Sequence, residues 1–212
     1  MADAVCMTRH DPDLKFERRF WKGGWSLVAG LDEAGRGALA GPIAVGAVVL
    51  PPRRQPPRGL SGVRDSKQMT PSARESAAER IKSNALAYCV GFASSEEIDC
   101  LGIVAAGRLA GLRALEGLRV FPDALLTDFR LELPELDIPQ ASLVRGDVCC
   151  MSIAAASVLA KTARDALMRE MDLQVPGYGL AQHKGYGTVD HRLAIQRMGR
   201  SAMHRRTFSV GF

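Results

Sequence analysis

The sequence predicts an α/β layered fold, with a mixed β-sheet flanked by helices and a small helical elaboration at the C-terminal end. Three features carry that expectation. Two apolar runs, residues 26–32 and 43–50, lie too close together for a crossover helix and so read as an antiparallel hairpin. Beyond them, short strand-like runs alternate with helical segments. Residues 151–173 are alanine-rich and free of glycine and proline, the clearest helix in the chain.

Taken in order, residues 1–25 form a polar lead-in with a helical turn or two around residues 14–21. The hairpin strands are separated by a glycine turn and Gly41-Pro42. Residues 51–57 are a loop rich in proline and arginine. Thr70 with Pro71 supplies an N-cap and a proline at the first helical position, opening a helix to about residue 84. Residues 85–93 read as a third strand. Ser94 and Glu97 fit a capping box, and Ile103, Leu109, Leu112, Leu115 and Leu118 give a helical apolar face beyond it. A short apolar run, 124–127, ends on Asp128, and another, 141–144, runs into Arg145-Gly146-Asp147. Residues 176–187 are a glycine-rich loop, and 188–198 a last amphipathic helix before a basic tail. The expected organisation is therefore a lead-in (1–25), a main domain (26–175) and a C-terminal loop–helix region (176–212).

The composition, 47% apolar and 24% charged over 212 residues, is that of a folded globular chain. No apolar run approaches the roughly 20 residues needed to span a bilayer. The first 20 residues mix Asp3, Arg9, Asp11, Asp13 and Lys15 and do not read as a secretory signal. Five cysteines, an odd number with no CxxC pair, argue against a disulfide framework and point to a reducing cytoplasm. The net charge of +5 is concentrated at Arg53, Arg54, Arg58, Arg64 and Lys67, and again at Lys184, Arg192, Arg197, Arg200, Arg205 and Arg206. Such clusters suit a polyanionic partner.

The chemistry is concentrated in Gly30-Leu31-Asp32-Glu33-Ala34-Gly35-Arg36-Gly37. Adjacent carboxylates at the end of an apolar strand are costly to bury unless a positive charge compensates them. Gly35 and Gly37 allow the backbone close to a ligand, and the Arg36 guanidinium can meet a phosphate. Asp32, Glu33, Asp128 and Asp147 are each expected at a strand end, where open α/β sheets bind ligands. An all-oxygen set selects Mg²⁺ or Mn²⁺ over zinc. His10, His183, His191 and His204 have no ligand spacing linked to these acids, and Asp165, Glu170 and Asp172 on the long helix are expected to be solvated or salt-bridged.

Further motifs follow in fixed order: Asp65-Ser66-Lys67, Gly146-Asp147, Ser152 to Ser157, Ala160-Lys161, Arg164-Asp165, His183-Lys184-Gly185-Tyr186-Gly187-Thr188 and His204-Arg205-Arg206. With Asp32 to Gly37 and Gly41-Pro42, they make the chain resemble the bacterial type 2 ribonucleases H, ribonuclease HII, from about residue 29 to 208. The resemblance implies a ribonuclease H-like fold and a monomer with no membrane association. It also implies cleavage of the RNA strand of RNA–DNA hybrids and of single ribonucleotides embedded in duplex DNA. Asp32, Glu33, Asp128 and Asp147 would hold two divalent ions about 3.5–4 Å apart, Mg²⁺ or Mn²⁺, leaving 3′-hydroxyl and 5′-phosphate ends. The backbone of Gly35, Arg36 and Gly37 would read the 2′-hydroxyl. Tyr186 would stack on the deoxyribose downstream, and Ser66 and Lys67 would contact phosphate.

The chain departs from the family pattern at Ala38, where proline is usual, and at Thr127 and Phe129, where valine and glycine usually flank the aspartate. Val148 and Cys149 replace a small residue and a base, and Cys149-Cys150 reads as a site open to oxidation. The rival readings are a catalytically impaired nucleic-acid-binding relative and another ribonuclease H-like nuclease. Retention of the four acids argues against the first, and the Gly35-Arg36-Gly37 and Tyr186 pair against the second.

Overall fold

A computed structural model describes residues 4–5, 11–129 and 131–211 of the chain; Cys6 and His10 lie outside the described residues. Among the described residues, six strands form one mixed sheet: β1 (Ala4–Val5), β2 (Val28–Ala34), β3 (Ile43–Val49), β4 (Ala87–Ala93), β5 (Ala124–Asp128) and β6 (Gln140–Val144). Their order is β1-β6-β5-β2-β3-β4. β2 to β4 are antiparallel neighbours, as the hairpin spacing requires, whereas β1, β6, β5 and β2 run parallel. β1, two residues at the sheet edge, gives no signal in the sequence.

The sheet is covered on both faces. Helices α3 (Ser95–Leu101) and α4 (Ile103–Glu116) bury Ile98, Ala106, Ala110, Ala114 and Leu115 against Ala29, Leu31, Ile43 and Val45 on one face. The capping box is present at Ser94 and Glu97, but the helical region divides at Gly102, whose φ of +80° ends α3. The opposite face carries α1 (Lys15–Lys22), α2 (Pro71–Asn84) and the long α6 (Met151–Gln174).

The alanines of α6 have a structural purpose. A Cβ at Gly30 would run into Ser152 and Ile153, and one at Gly46 into Ala156, so helix and sheet meet backbone to backbone. Ala154, Ala155, Ala156 and Ala160 are all fully buried there. That close approach brings the Ser157 side chain onto Asp32 in β2.

The C-terminal part builds a core of its own. Leu180 from α7 (Leu180–His183) and Ala194 and Ile195 from α8 (Val189–Met198) pack with Leu39, Ala40, Met168, Tyr178 and Val210. α7 lies within the stretch expected to be loop. No helix of the described residues is long and apolar enough to cross a membrane.

Candidate active site

Asp32 and Glu33 lie inside β2 rather than at its end, since the strand continues to Ala34. In the parallel β2–β5 pair, Leu31 is registered with Thr127, which puts Asp32 and Asp128 one step further along on neighbouring strands. Alternation places Glu33 on the opposite side of β2 from Asp32. Carboxylate oxygens of Asp32, Glu33 and Asp128 nevertheless lie within 4.8 Å of one another.

Asp147 stands outside that trio and is not at a strand end. Arg145 adopts a left-handed conformation (φ 58°), and the chain turns into the short helix α5 (Gly146–Cys149), which carries Asp147. The turn is fixed by Asp128, whose Oδ1 accepts the Gly146 N–H at 2.8 Å.

All four carboxyls are held above their ordinary pKa, with burial the largest cause in each case. Asp32 is raised most, with Glu33, Asp128 and Asp147 adding like charge and the Ser157 hydroxyl partly offsetting it. Asp147 is pushed up to about 6 by burial and by the charges of Asp65 and Asp128, against the pull of Lys67. For Glu33, Arg36 at 3.6 Å opposes the burial effect. Burial alone would depress the Lys67 ammonium, but Asp32, Asp147 and Asp65 outweigh it and raise its pKa.

Four residues that sequence reasoning passed over belong here. Asp65 caps the 3₁₀ turn at Ser66–Gln68 through the Lys67 N–H (2.9 Å) and lies against Asp147. Ser157 links Asp32 to Ser66, whose hydroxyl meets it at 3.0 Å. Ser66 is therefore 3% exposed and turned inward, while Lys67 is exposed beside the acids. Arg164 and Arg205 hold the glycine turn. Arg205 donates to the carbonyls of Gly35 (2.7 Å), Arg36 (2.8 Å) and Gly41 (3.0 Å). Arg164 donates to those of Ala40, Pro42 and Lys184. Each of the four stands in a motif quoted above, which was the available signal.

With the Gly35 and Arg36 carbonyls drawn inward, trans peptide geometry turns the N–H groups of Arg36 and Gly37 outward. Gly35 is needed for the turn itself: its φ is +89°, and a Cβ there would run into Arg164. Gly37 is exposed, and a Cβ there would meet nothing within 4 Å. The Tyr186 ring lies near the same clamp, 5.5 Å from the Arg164 guanidinium and 5.8 Å from the Lys161 ammonium.

Asp165 is paired with Arg74 (3.2 Å) and Lys161 (2.6 Å) and lies apart from the acidic cluster. Of the two cysteines expected to be open to oxidation, Cys150 is fully buried, and burial holds its thiol well above the ordinary pKa. Its Sγ contacts Glu17 Oε1 (3.3 Å) and Ser152 Oγ (3.4 Å), so that expectation does not hold for Cys150.

The donor set suits a hard divalent cation. It is all oxygen, its carboxyls repel one another, and the buried Glu33 Oε2 has no hydrogen-bond partner among the described residues.

Residues 29–210 match the family model for Ribonuclease HII. The chain is 48% identical over 209 residues to the ribonuclease HII of Dehalococcoides mccartyi, covering 99% of this chain and 96% of that protein. It is 51% identical over 195 residues to that of Moorella thermoacetica, with 91% of each covered. The crystal structure of ribonuclease H2 from Pyrococcus horikoshii superposes with a TM-score of 0.72 at 25% identity, covering 87% of this chain and 94% of that one.

Proposed function

The chain belongs to the ribonuclease HII family and is a ribonuclease H, and from that premise we propose that it works through divalent metal ions and also cuts at single ribonucleotides embedded in duplex DNA. Ribonuclease H endonucleases act on RNA–DNA hybrids; the metal, the embedded ribonucleotide and the end chemistry are our reading. The observation that carries it is the meeting of Asp32, Glu33 and Asp128 in one cluster, with a buried Glu33 oxygen unpartnered among the described residues, beside a turn whose N–H groups face outward.

Asp32, Glu33, Asp128 and Asp147 would hold two Mg²⁺ or Mn²⁺ ions. Bound there, the ions would supply an activated water and stabilise the leaving 3′-oxygen. A related ribonuclease HIII, 18% identical with a TM-score of 0.62, was crystallised with Mn²⁺. Asp65 steers Asp147, and Ser157 steers Asp32. Lys67 meets phosphate from its exposed position, while Ser66 anchors that turn to α6.

The N–H groups of Arg36 and Gly37 read the 2′-hydroxyl by direct contact, for which deoxyribose offers no partner. Arg36 adds a guanidinium for phosphate, and Tyr186 stacks on the deoxyribose that follows. The C-terminal region, 176–212, contributes to substrate binding through Tyr186 and the basic residues around it. A second basic surface, a cleft between α1 and the loop at residues 54–55, is lined by Lys15, Arg18, Arg19, Lys22 and Arg54 and suits the flanking duplex. We place the enzyme in the cytoplasm as a monomer, in keeping with free thiols at Cys89, Cys100 and Cys150.

Attack by water, not by the substrate's own 2′-hydroxyl, leaves a 3′-hydroxyl upstream and a 5′-phosphate downstream. The test is cleavage of an RNA–DNA hybrid after chelation and after adding back Mg²⁺ or Mn²⁺, with the ends identified. Activity without metal, or a 2′,3′-cyclic phosphate, overturns the reading.

A further inference from the structure

Away from the acidic centre, His191 and His204 share a hydrogen bond whose direction is fixed by their other partners, and His183 stacks beside them. His191 and His204 are buried, and neither belongs to the acidic cluster. His191 Nδ1 lies 3.0 Å from the Tyr186 carbonyl, which can only accept, so Nδ1 carries the proton. At the other end, His204 Nδ1 accepts the Ser201 N–H at 3.0 Å, so its proton sits on Nε2. That Nε2–H then points at His191 Nε2, 3.1 Å away, which is free to accept it. His183 stacks on His191 with ring centres 4.2 Å apart. Its Nε2–H donates to the Tyr178 carbonyl (2.8 Å) and its Nδ1 accepts the Gly185 N–H (3.2 Å). Every ring nitrogen of the three has a partner, and His204 Nδ1 also meets the Ser201 hydroxyl at 2.9 Å.

The same segment grips the 2′-hydroxyl-reading turn. Met203 accepts from Gly41 (2.8 Å), His204 bridges Ala40, and Arg205 donates its backbone N–H to Leu39 (2.9 Å). Leu39 in turn donates to the Gly185 carbonyl at 2.7 Å, beside Tyr186. We infer that His191 and His204 are positioning residues for substrate discrimination: by fixing the Tyr186 backbone to the segment that holds the Gly35–Gly37 turn, they set the distance between the 2′-hydroxyl reader and the deoxyribose-stacking ring. Neither touches nucleic acid. The inference rests on the junction-sensing reading of Tyr186.

Two substitutions at one position separate this role from simple packing. In His191→Asn the amide nitrogen stands where Nδ1 was and still donates to the Tyr186 carbonyl. In His191→Gln the amide reaches the Nε2 position, meets His204 and abandons Tyr186. His191→Gln should lose about fivefold in kcat/KM on a single-ribonucleotide duplex, the order of one neutral hydrogen bond, and less than twofold on a long hybrid. His191→Asn should recover most of the loss. In a Tyr186→Ala background His191→Gln should add nothing further. Equal losses on both substrates, no advantage of Asn over Gln, or full additivity with Tyr186→Ala overturns the inference. Should His191→Gln fail to fold, His204→Gln, which keeps a donor for His191 but loses Ser201, is read for the same substrate bias, and its absence is equally decisive. If Tyr186→Ala itself loses equally on both substrates, the junction-sensing reading falls instead.

Discussion

Where β2, the end of β5 and α5 meet, four carboxyls lie close enough to repel one another, opposed by Lys67 and Arg36, and one Glu33 oxygen has no partner among the described residues. On the adjoining turn, Arg164 and Arg205 are more deeply buried, at 0% and 1% exposure, yet each gives three hydrogen bonds to backbone carbonyls. Burial, with Arg164 as a charged neighbour, draws the Arg205 guanidinium down to about 9, still charged at neutral pH. The first group has requirements that the described residues leave unmet, as a cation-binding site would. The second is satisfied internally and does its work by holding backbone. Unmet charge marks where chemistry happens; met charge marks what aims it.

The comparison breaks first at the acids. Asp32→Asn and Asp128→Asn should each lower cleavage by roughly a thousandfold or more while leaving substrate binding near normal, because the loss falls on charge stabilised in the transition state. Thermal stability without metal should rise in both, as like-charge repulsion is relieved. Asp165→Asn is the control: its carboxylate is already paired with Arg74 and Lys161, so activity should be largely retained at some cost in stability. A loss matching that of Asp128→Asn would move Asp165 into the centre.

Two glycines two residues apart sharpen the contrast. Gly37→Ala should fold as the parent does, because its Cβ meets nothing within 4 Å among the described residues, yet lose about a hundredfold on every substrate by blocking the close approach. Gly35→Ala should be visibly destabilised in thermal melts, since the added Cβ meets Arg164 at a positive φ. An unimpaired Gly37→Ala enzyme would remove the backbone reader from the account.

Tyr186→Ala should lose roughly ten- to a hundredfold on a single-ribonucleotide duplex, the range for loss of a stacking contact, and clearly less on a long hybrid. The pH effect is smaller. Asp147, at about 6 in the folded protein, lies above its ordinary 3.8. In the metal-free protein its contribution to stability is therefore full below about pH 4 and is lost as pH rises through about 6. A cation needs the ionised form, so Mg²⁺ affinity by titration calorimetry should fall about tenfold between pH 7 and pH 5. A flat profile would take Asp147 out of the metal set.

Much of this was legible in the sequence because it is local. Strand period, the capping box at Ser94 and Glu97, and the Thr70-Pro71 start each rest on neighbouring residues. What was not legible depends on backbone conformation or on distant partners. The left-handed Arg145 takes Asp147 off the strand and onto α5. Gly102 divides a helical stretch whose apolar spacing carries no mark of the break. Arg164 and Arg205 look like solvated basic residues until tertiary packing surrounds them with carbonyls. Ser66 looks like a surface hydroxyl until α6 brings Ser157 to it.

The most direct measurement is cleavage of a DNA duplex holding one ribonucleotide, with an all-DNA duplex as control, by the parent enzyme and by Asp128→Asn in Mg²⁺. The account predicts a single cut at the ribonucleotide with 3′-hydroxyl and 5′-phosphate ends, none on the control, and almost none with the variant. Full activity of Asp128→Asn, or equal cutting of the all-DNA duplex, would contradict it.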